Sequence, residues 1–127
     1  MVPRGVFPDI LLSMTLDEYQ GAIVGFDTNA TGRYDLRDGT YVDKILGLVG
    51  EAGEVADKYK KIIRDRASVI SDDDRDALVK ELGDVLWYVA TLARYLGASL
   101  DSVATLNVAK LSDRKNRRLI QGEGDNR

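Results

Sequence analysis

Two short acidic pairs, each set inside an apolar helical pattern, constrain this chain more than any other feature. The first is Glu51 and Glu54 in GLVGEAGEVAD (residues 47–57); the second is Glu81 and Asp84 in VKELGDVLWY (residues 79–88). Both have i, i+3 spacing, so on a helix each pair points two carboxylates to one side. The flanking apolar residues place that side toward a core. Carboxylates aimed into a helical core are very costly unless a cation joins them. An isolated E-x-x-E on a charged helix reads as a solvated face. Two such pairs on successive apolar helices instead point to a divalent metal held between packed helices.

The composition narrows the chemistry. The chain has no Cys and no His, so thiolate nucleophiles, disulfides, His general bases and His ligation are all excluded. Any metal must be held by oxygen, which favours Mg²⁺, with Mn²⁺ as a substitute. At 127 residues, 44% hydrophobic and 31% charged, the expectation is one soluble domain with a single core. A net charge of -3 and a pI near 5.0 argue against stable nucleic-acid binding or a membrane-surface role. No stretch approaches the roughly 18 apolar residues of a membrane span, so a cytoplasmic location is the default. Residues 1–14 read as a leader, in which Val2-Pro3-Arg4-Gly5 is either a protease-site remnant or native.

The rest of the pattern is helical. Thr15-Leu16-Asp17-Glu18 reads as a capping box opening a first helix that runs to about Asn29 through Leu16, Tyr19, Ile23 and Phe26. Residues 31–39 carry Gly32 and Gly39 and read as a connector, or as one wall of a substrate pocket. A second helix from about Thr40 to Arg66 places Val42, Ile45, Leu46, Val49, Ala52, Val55, Ala56, Tyr59, Ile62 and Ile63 on one broad apolar stripe. Gly47, Gly50 and Gly53 within it call for close helix approach or room for a ligand. Ser71 or Asp72 caps a third helix ended by Gly97. Its apolar surface (Leu78, Val79, Leu82, Val85, Leu86, Trp87, Tyr88, Val89, Leu92, Ala93, Tyr95, Leu96) runs so far around that a second subunit is expected to cover part of it. Ser99 caps a fourth helix reaching about Arg118, and residues 119–127 form a tail. The predicted fold is all-α and four-helix-bundle-like over residues 15–118, assembled as an oligomer.

These motifs together closely resemble the MazG-like nucleoside triphosphate pyrophosphohydrolases, whose hallmark is E-x-x-E followed by E-x-x-D. Residues 16–20 (LDEYQ), residues 107–114 (NVAKLSDR) and the tail support the resemblance, which covers nearly everything from Leu16 onward. It implies an all-α, Mg²⁺-dependent enzyme of nucleotide housecleaning. Such an enzyme splits a (deoxy)nucleoside triphosphate between its α- and β-phosphates, giving monophosphate and pyrophosphate. It further implies that Glu51, Glu54, Glu81 and Asp84 occupy the metal-ligand positions, and that the chain forms a homodimer or homotetramer.

Other residues are candidates for holding the substrate. Lys61 lies seven residues past Glu54 on roughly the same face, within reach of a phosphate; otherwise it is a solvated lysine beside Lys60. Asn107, Lys110 and Arg114 share a face of the last helix and form either a triphosphate clamp or a solvated basic helix end. Gln20 is a candidate base or sugar contact, and Trp87 and Tyr88 read as base-stacking or, more simply, packing groups. Two rival readings stay open: a non-catalytic helical assembly module, and a related phosphohydrolase acting on another nucleotide or a phosphoribosyl substrate.

Overall fold

The structure, a computed structural model, describes residues 14–28 and 39–117. It contains α1 (Leu16–Ala22), a 3-10 turn (Ile23–Phe26), α2 (Gly39–Asp65), α3 (Asp72–Tyr95) and α4 (Leu100–Asn116). No strand occurs among the described residues, as the periodicity predicts. No helix among them is long and apolar enough to cross a membrane. Most of the connector at residues 31–39, together with Asn29, Arg118, nearly all of the leader and the tail, lies outside the described residues.

The helix ends follow the local chemistry. The Thr15 hydroxyl accepts from Glu18 N at 3.1 Å while Glu18 accepts from Thr15 N at 2.7 Å, the reciprocal box expected. Those bonds hold the Glu18 carboxyl below its ordinary pKa. The first helix is shorter than its apolar pattern suggests. After Ala22 the chain tightens into the 3-10 turn, where Gly21, Gly25 and the β-branched Ile23 and Val24 lower helix propensity, and Phe26 points into solvent. Ser71 and Asp74 form a second capping box at the start of α3. At its end Gly97 adopts φ 72°. Ala98 N donates to Ala93 O and Gly97 N to Arg94 O, both at 2.9 Å, closing a Schellman motif.

α2 and α3 form a long antiparallel hairpin, reversed through Ala67 and Ser68, both with positive φ. Its register is fixed by cross-helix contacts. Tyr41 meets the Tyr95 ring edge-on, Gly47 faces Tyr88, Lys58 pairs with Glu81, and Arg66 pairs with Asp74. The short α1 and α4 pack against each other and against α3, and neither packs on α2. Side chains of α1 complete the amino end of α4. Leu100 N donates to Gln20 Oε1 at 3.0 Å, Asp101 N to Asp17 Oδ1 at 2.8 Å, and Ser102 N to the Ser99 hydroxyl at 3.1 Å. Three amides that a helix start leaves unpaired are thereby satisfied. Above this joint Ile23, Ala90 and Leu100 form the buried core, with Leu16, Tyr19, Leu86, Trp87 and Val89 packed on it.

The second helix departs from its expected phase. The face turned to α3 carries Tyr41, Lys44, Gly47, Lys58 and the buried Ile62. The apolar stripe lies largely on the other side: Val42, Ile45, Leu46, Val49, Tyr59 and Ile63 are exposed, Leu46 and Val49 at 65% each. Helix α3 shows the same split, burying Leu78 and Ala93 while exposing Leu82 and Leu96.

A buried charge cluster ties the open end of the hairpin, where α2 begins and α3 ends, to the first segment. The Asp27 side chain is fully buried. It receives Lys44 Nζ at 3.3 Å, an Arg94 guanidinium nitrogen at 2.7 Å and the Tyr95 hydroxyl at 2.6 Å. Removing one member of such a group strands the others without compensation. Asp27→Asn is therefore expected to lower unfolding free energy by about 3 kcal/mol in urea titrations. Gly47→Ala is expected to be neutral or destabilising despite Ala's helix propensity of about 1 kcal/mol over Gly, because its Cβ overlaps the Tyr88 ring. A clear rise in melting temperature for Gly47→Ala would contradict that packing.

Candidate functional site

The antiparallel register brings the two acidic motifs together halfway along the hairpin. Glu51 from α2 and Glu81 and Asp84 from α3 each offer a carboxylate oxygen, and these oxygens lie within 4.8 Å of one another. Glu51 and Glu81 are half-buried and Asp84 is exposed. Burial, followed by the charges of Asp84, Glu81 and Glu54, raises the Glu51 carboxyl pKa above its ordinary value. Burial first, and like charges second, make the ionised form of this carboxyl costly without a counter-charge. The donors are all oxygen, converge from two helices and leave one side open, which fits a hard cation. This trio could hold a metal ion.

Glu54, the fourth acid of the pattern, is not part of the trio. It lies one turn beyond Glu51, exposed, and acts on that site through its charge. Next to the trio, Glu51, Asp84, Trp87 and Tyr88 line a cavity of about 290 Å³. Trp87 and Tyr88 meet edge-to-face with ring centroids 5.0 Å apart. Trp87 also packs on the core, and the Lys44 ammonium sits 5.3 Å from its ring centroid. Both aromatic rings thus serve packing and cavity wall together.

Several expected substrate contacts stand elsewhere. Gln20 has its amide engaged by the backbone: its nitrogen donates to Ala90 O at 3.2 Å and Ala98 O at 2.9 Å, and its oxygen accepts from Leu100 N. It staples α1 to the α3–α4 turn. Lys61 pairs with Asp57 Oδ2 at 2.5 Å and lines a separate cleft with Lys58, Ile62, Asp65, Arg66, Asp74 and Ala77. Asn107 and Lys110 are exposed on α4, away from the lining of the carboxylate cavity. Arg114 is 6% exposed, so it is no solvated helix end. Among the described residues α4 packs on α1 and α3, and Asn107, Lys110 and Arg114 do not line the carboxylate cavity.

Other residues enter that the motif reading passed over. Lys58 Nζ lies 3.2 Å from Glu81 Oε1. Burial, then the charge of Asp84, raises the Tyr19 phenol pKa. Lys44 backs Trp87. A spacing signal existed for the lysines: Lys44, Glu51 and Lys58 recur every seven residues, two turns, along one face of α2.

Comparison with known proteins agrees with this geometry. The chain is 57% identical over 82 residues to the Gene 37 protein of Mycobacterium phage L5, covering 65% of this chain and 72% of the relative. No solved structure matches it. Residues 40–119, which span α2, α3 and α4 and hence every acid of the site, match the MazG nucleotide pyrophosphohydrolase domain. The chain belongs to the MazG nucleotide pyrophosphohydrolase family.

Proposed function

We propose that this protein is a Mg²⁺-dependent nucleoside triphosphate pyrophosphohydrolase that splits its substrate between the α- and β-phosphates. The observation that carries the reading is the convergence of Glu51, Glu81 and Asp84 within 4.8 Å across an antiparallel helix pair. In this reading those three side chains hold the ion. When bound, such an ion neutralises phosphate charge and acidifies nearby water.

The chain's own residues then divide the work. Glu54, exposed and outside the trio, takes the proton of the attacking water. Water adds to the α-phosphorus as the bridging P–O bond breaks, leaving monophosphate and pyrophosphate. Because the sequence has neither His nor Cys, carboxylates are its natural proton acceptors near neutral pH. Trp87 and Tyr88 form the wall against which a base can stack. Lys110 and Asn107, exposed on α4, serve the phosphates from a neighbouring copy in a homodimer or homotetramer, with Arg114 buried behind them. The exposed stripe of Val42, Ile45, Leu46 and Val49 supports such an assembly. A pool-control role in the cytoplasm completes the reading.

Incubation with Mg²⁺ and a panel of nucleoside triphosphates should yield monophosphate and pyrophosphate. Diphosphate with orthophosphate would refute α–β cleavage, and no turnover on any nucleotide would favour a non-catalytic assembly module. Glu54→Gln should lower kcat by about 100-fold or more while leaving the fold intact by circular dichroism.

Charge gives a stability prediction as well. Glu51 has a folded pKa above its unfolded one, so its ionised form destabilises the metal-free protein. That penalty is complete above the folded pKa and vanishes below the unfolded value. Glu51→Gln should therefore melt higher than the wild type at pH 7 without metal, with the difference shrinking as pH falls into the carboxylate range. Millimolar Mg²⁺ should raise the wild-type melting temperature and reverse the order.

A further inference from the structure

The flank of α2 beside the carboxylates is crowded with cations, and nearly all have partners remote from the trio. Lys60 and Lys61 both pair with Asp57, at 3.2 and 2.5 Å, Arg64 pairs with Asp65 at 2.6 Å, and Arg66 pairs with Asp74. Lys58 differs. Its ammonium sits 3.2 Å from Glu81 Oε1, so its partner is one of the three convergent acids. It is 35% exposed, on a stem long enough to swing.

Lys58 also stands where two clefts meet. One, of about 280 Å³, is lined by Lys58, Lys61, Ile62, Asp65, Arg66, Asp74 and Ala77, three cations against two acids. The other, of about 320 Å³, is lined by Lys58, Asp73, Asp76, Ala77, Lys80 and Glu81, two cations against three acids. The first has the charge balance for an anion; the second repels one.

Resting on the pyrophosphohydrolase reading, we infer that Lys58 is a resident counter-cation that exchanges roles during the reaction cycle. In the metal-free protein its ammonium neutralises and orients Glu81. Were Glu81 to hold a divalent ion together with Glu51 and Asp84, its carboxylate would release the Lys58 ammonium. The released ammonium turns to the Lys61–Arg66 cleft and binds the leaving pyrophosphate. Lys58 is thus a positioning residue for Glu81 and a binding residue for the product.

The two roles predict opposite effects of one substitution. Calorimetry with Mn²⁺ alone should show Lys58→Met binding the ion about five-fold more tightly than wild type, because a competing cation is gone. With Mg²⁺ present, the same variant should bind inorganic pyrophosphate about ten-fold more weakly. Lys58→Arg should recover pyrophosphate binding, and Lys60→Met should leave Mn²⁺ affinity unchanged. Unchanged or weaker Mn²⁺ binding by Lys58→Met, with a wild-type circular dichroism spectrum, would overturn the exchange. Unchanged pyrophosphate binding would overturn the product role. A wild-type protein that binds no Mn²⁺ would instead bring down the ion reading, and this inference with it.

Discussion

A seam of charge between α2 and α3 is the constraint on which the rest of this structure depends. Most helix pairs bury apolar residues along their contact, whereas this one places Lys44, Glu51 and Lys58 against Glu81, Asp84 and Trp87. Three acids within 4.8 Å repel one another, and a half-buried ion pair such as Lys58–Glu81 offsets only a small part of that. The seam stays closed because both ends are fastened. At one end the Asp27 cluster ties Lys44 of α2 to Arg94 and Tyr95 of α3. At the other the chain turns back through Ala67 and Ser68, at about 1 kcal/mol each for the left-handed backbone, and Arg66 reaches Asp74.

The remaining helices support that arrangement without entering it. Gln20 and Asp17 of α1 supply the bonds that the first amides of α4 need, so the α3–α4 turn is held by the opening helix. Ile23, Ala90 and Leu100 then bury one side of this joint, and Trp87 carries the packing from that core to the wall of the site. Because α3 is the one helix that α2 packs on among the described residues, the outer apolar stripe of α2 faces solvent in the single chain.

Where sequence and structure agree, the reason is local chemistry. The caps at Thr15, Ser71 and Ser99 and the stop at Gly97 depend on side chains within a few residues, and each is found where the sequence places it. The acidic motifs are also legible, because i, i+3 spacing inside a helix fixes direction. Phase is harder. The broad stripe of α2 merges two faces, and only the partner helix decides that Ile62 is inside while Ile63 is outside. Asp27 is invisible as a buried anion, since Arg94 and Tyr95, which hold it, lie 67 and 68 positions away. Gln20 and Arg114 look like surface donors in the sequence, yet tertiary contacts bury or engage them. Lys58 lay within a run of lysines, and only the register of the hairpin distinguishes it from Lys60 and Lys61.

On the proposed reading, carboxylates from two packed helices grip a divalent ion. Electron paramagnetic resonance of Mn²⁺ titrated into the protein and into Asp84→Asn tests it most directly. Loss of the free-ion signal is expected on binding to the wild type, with release of bound Mn²⁺ when Mg²⁺ is added, and little binding by the variant. Equal Mn²⁺ binding by both proteins, or none by the wild type, would contradict it.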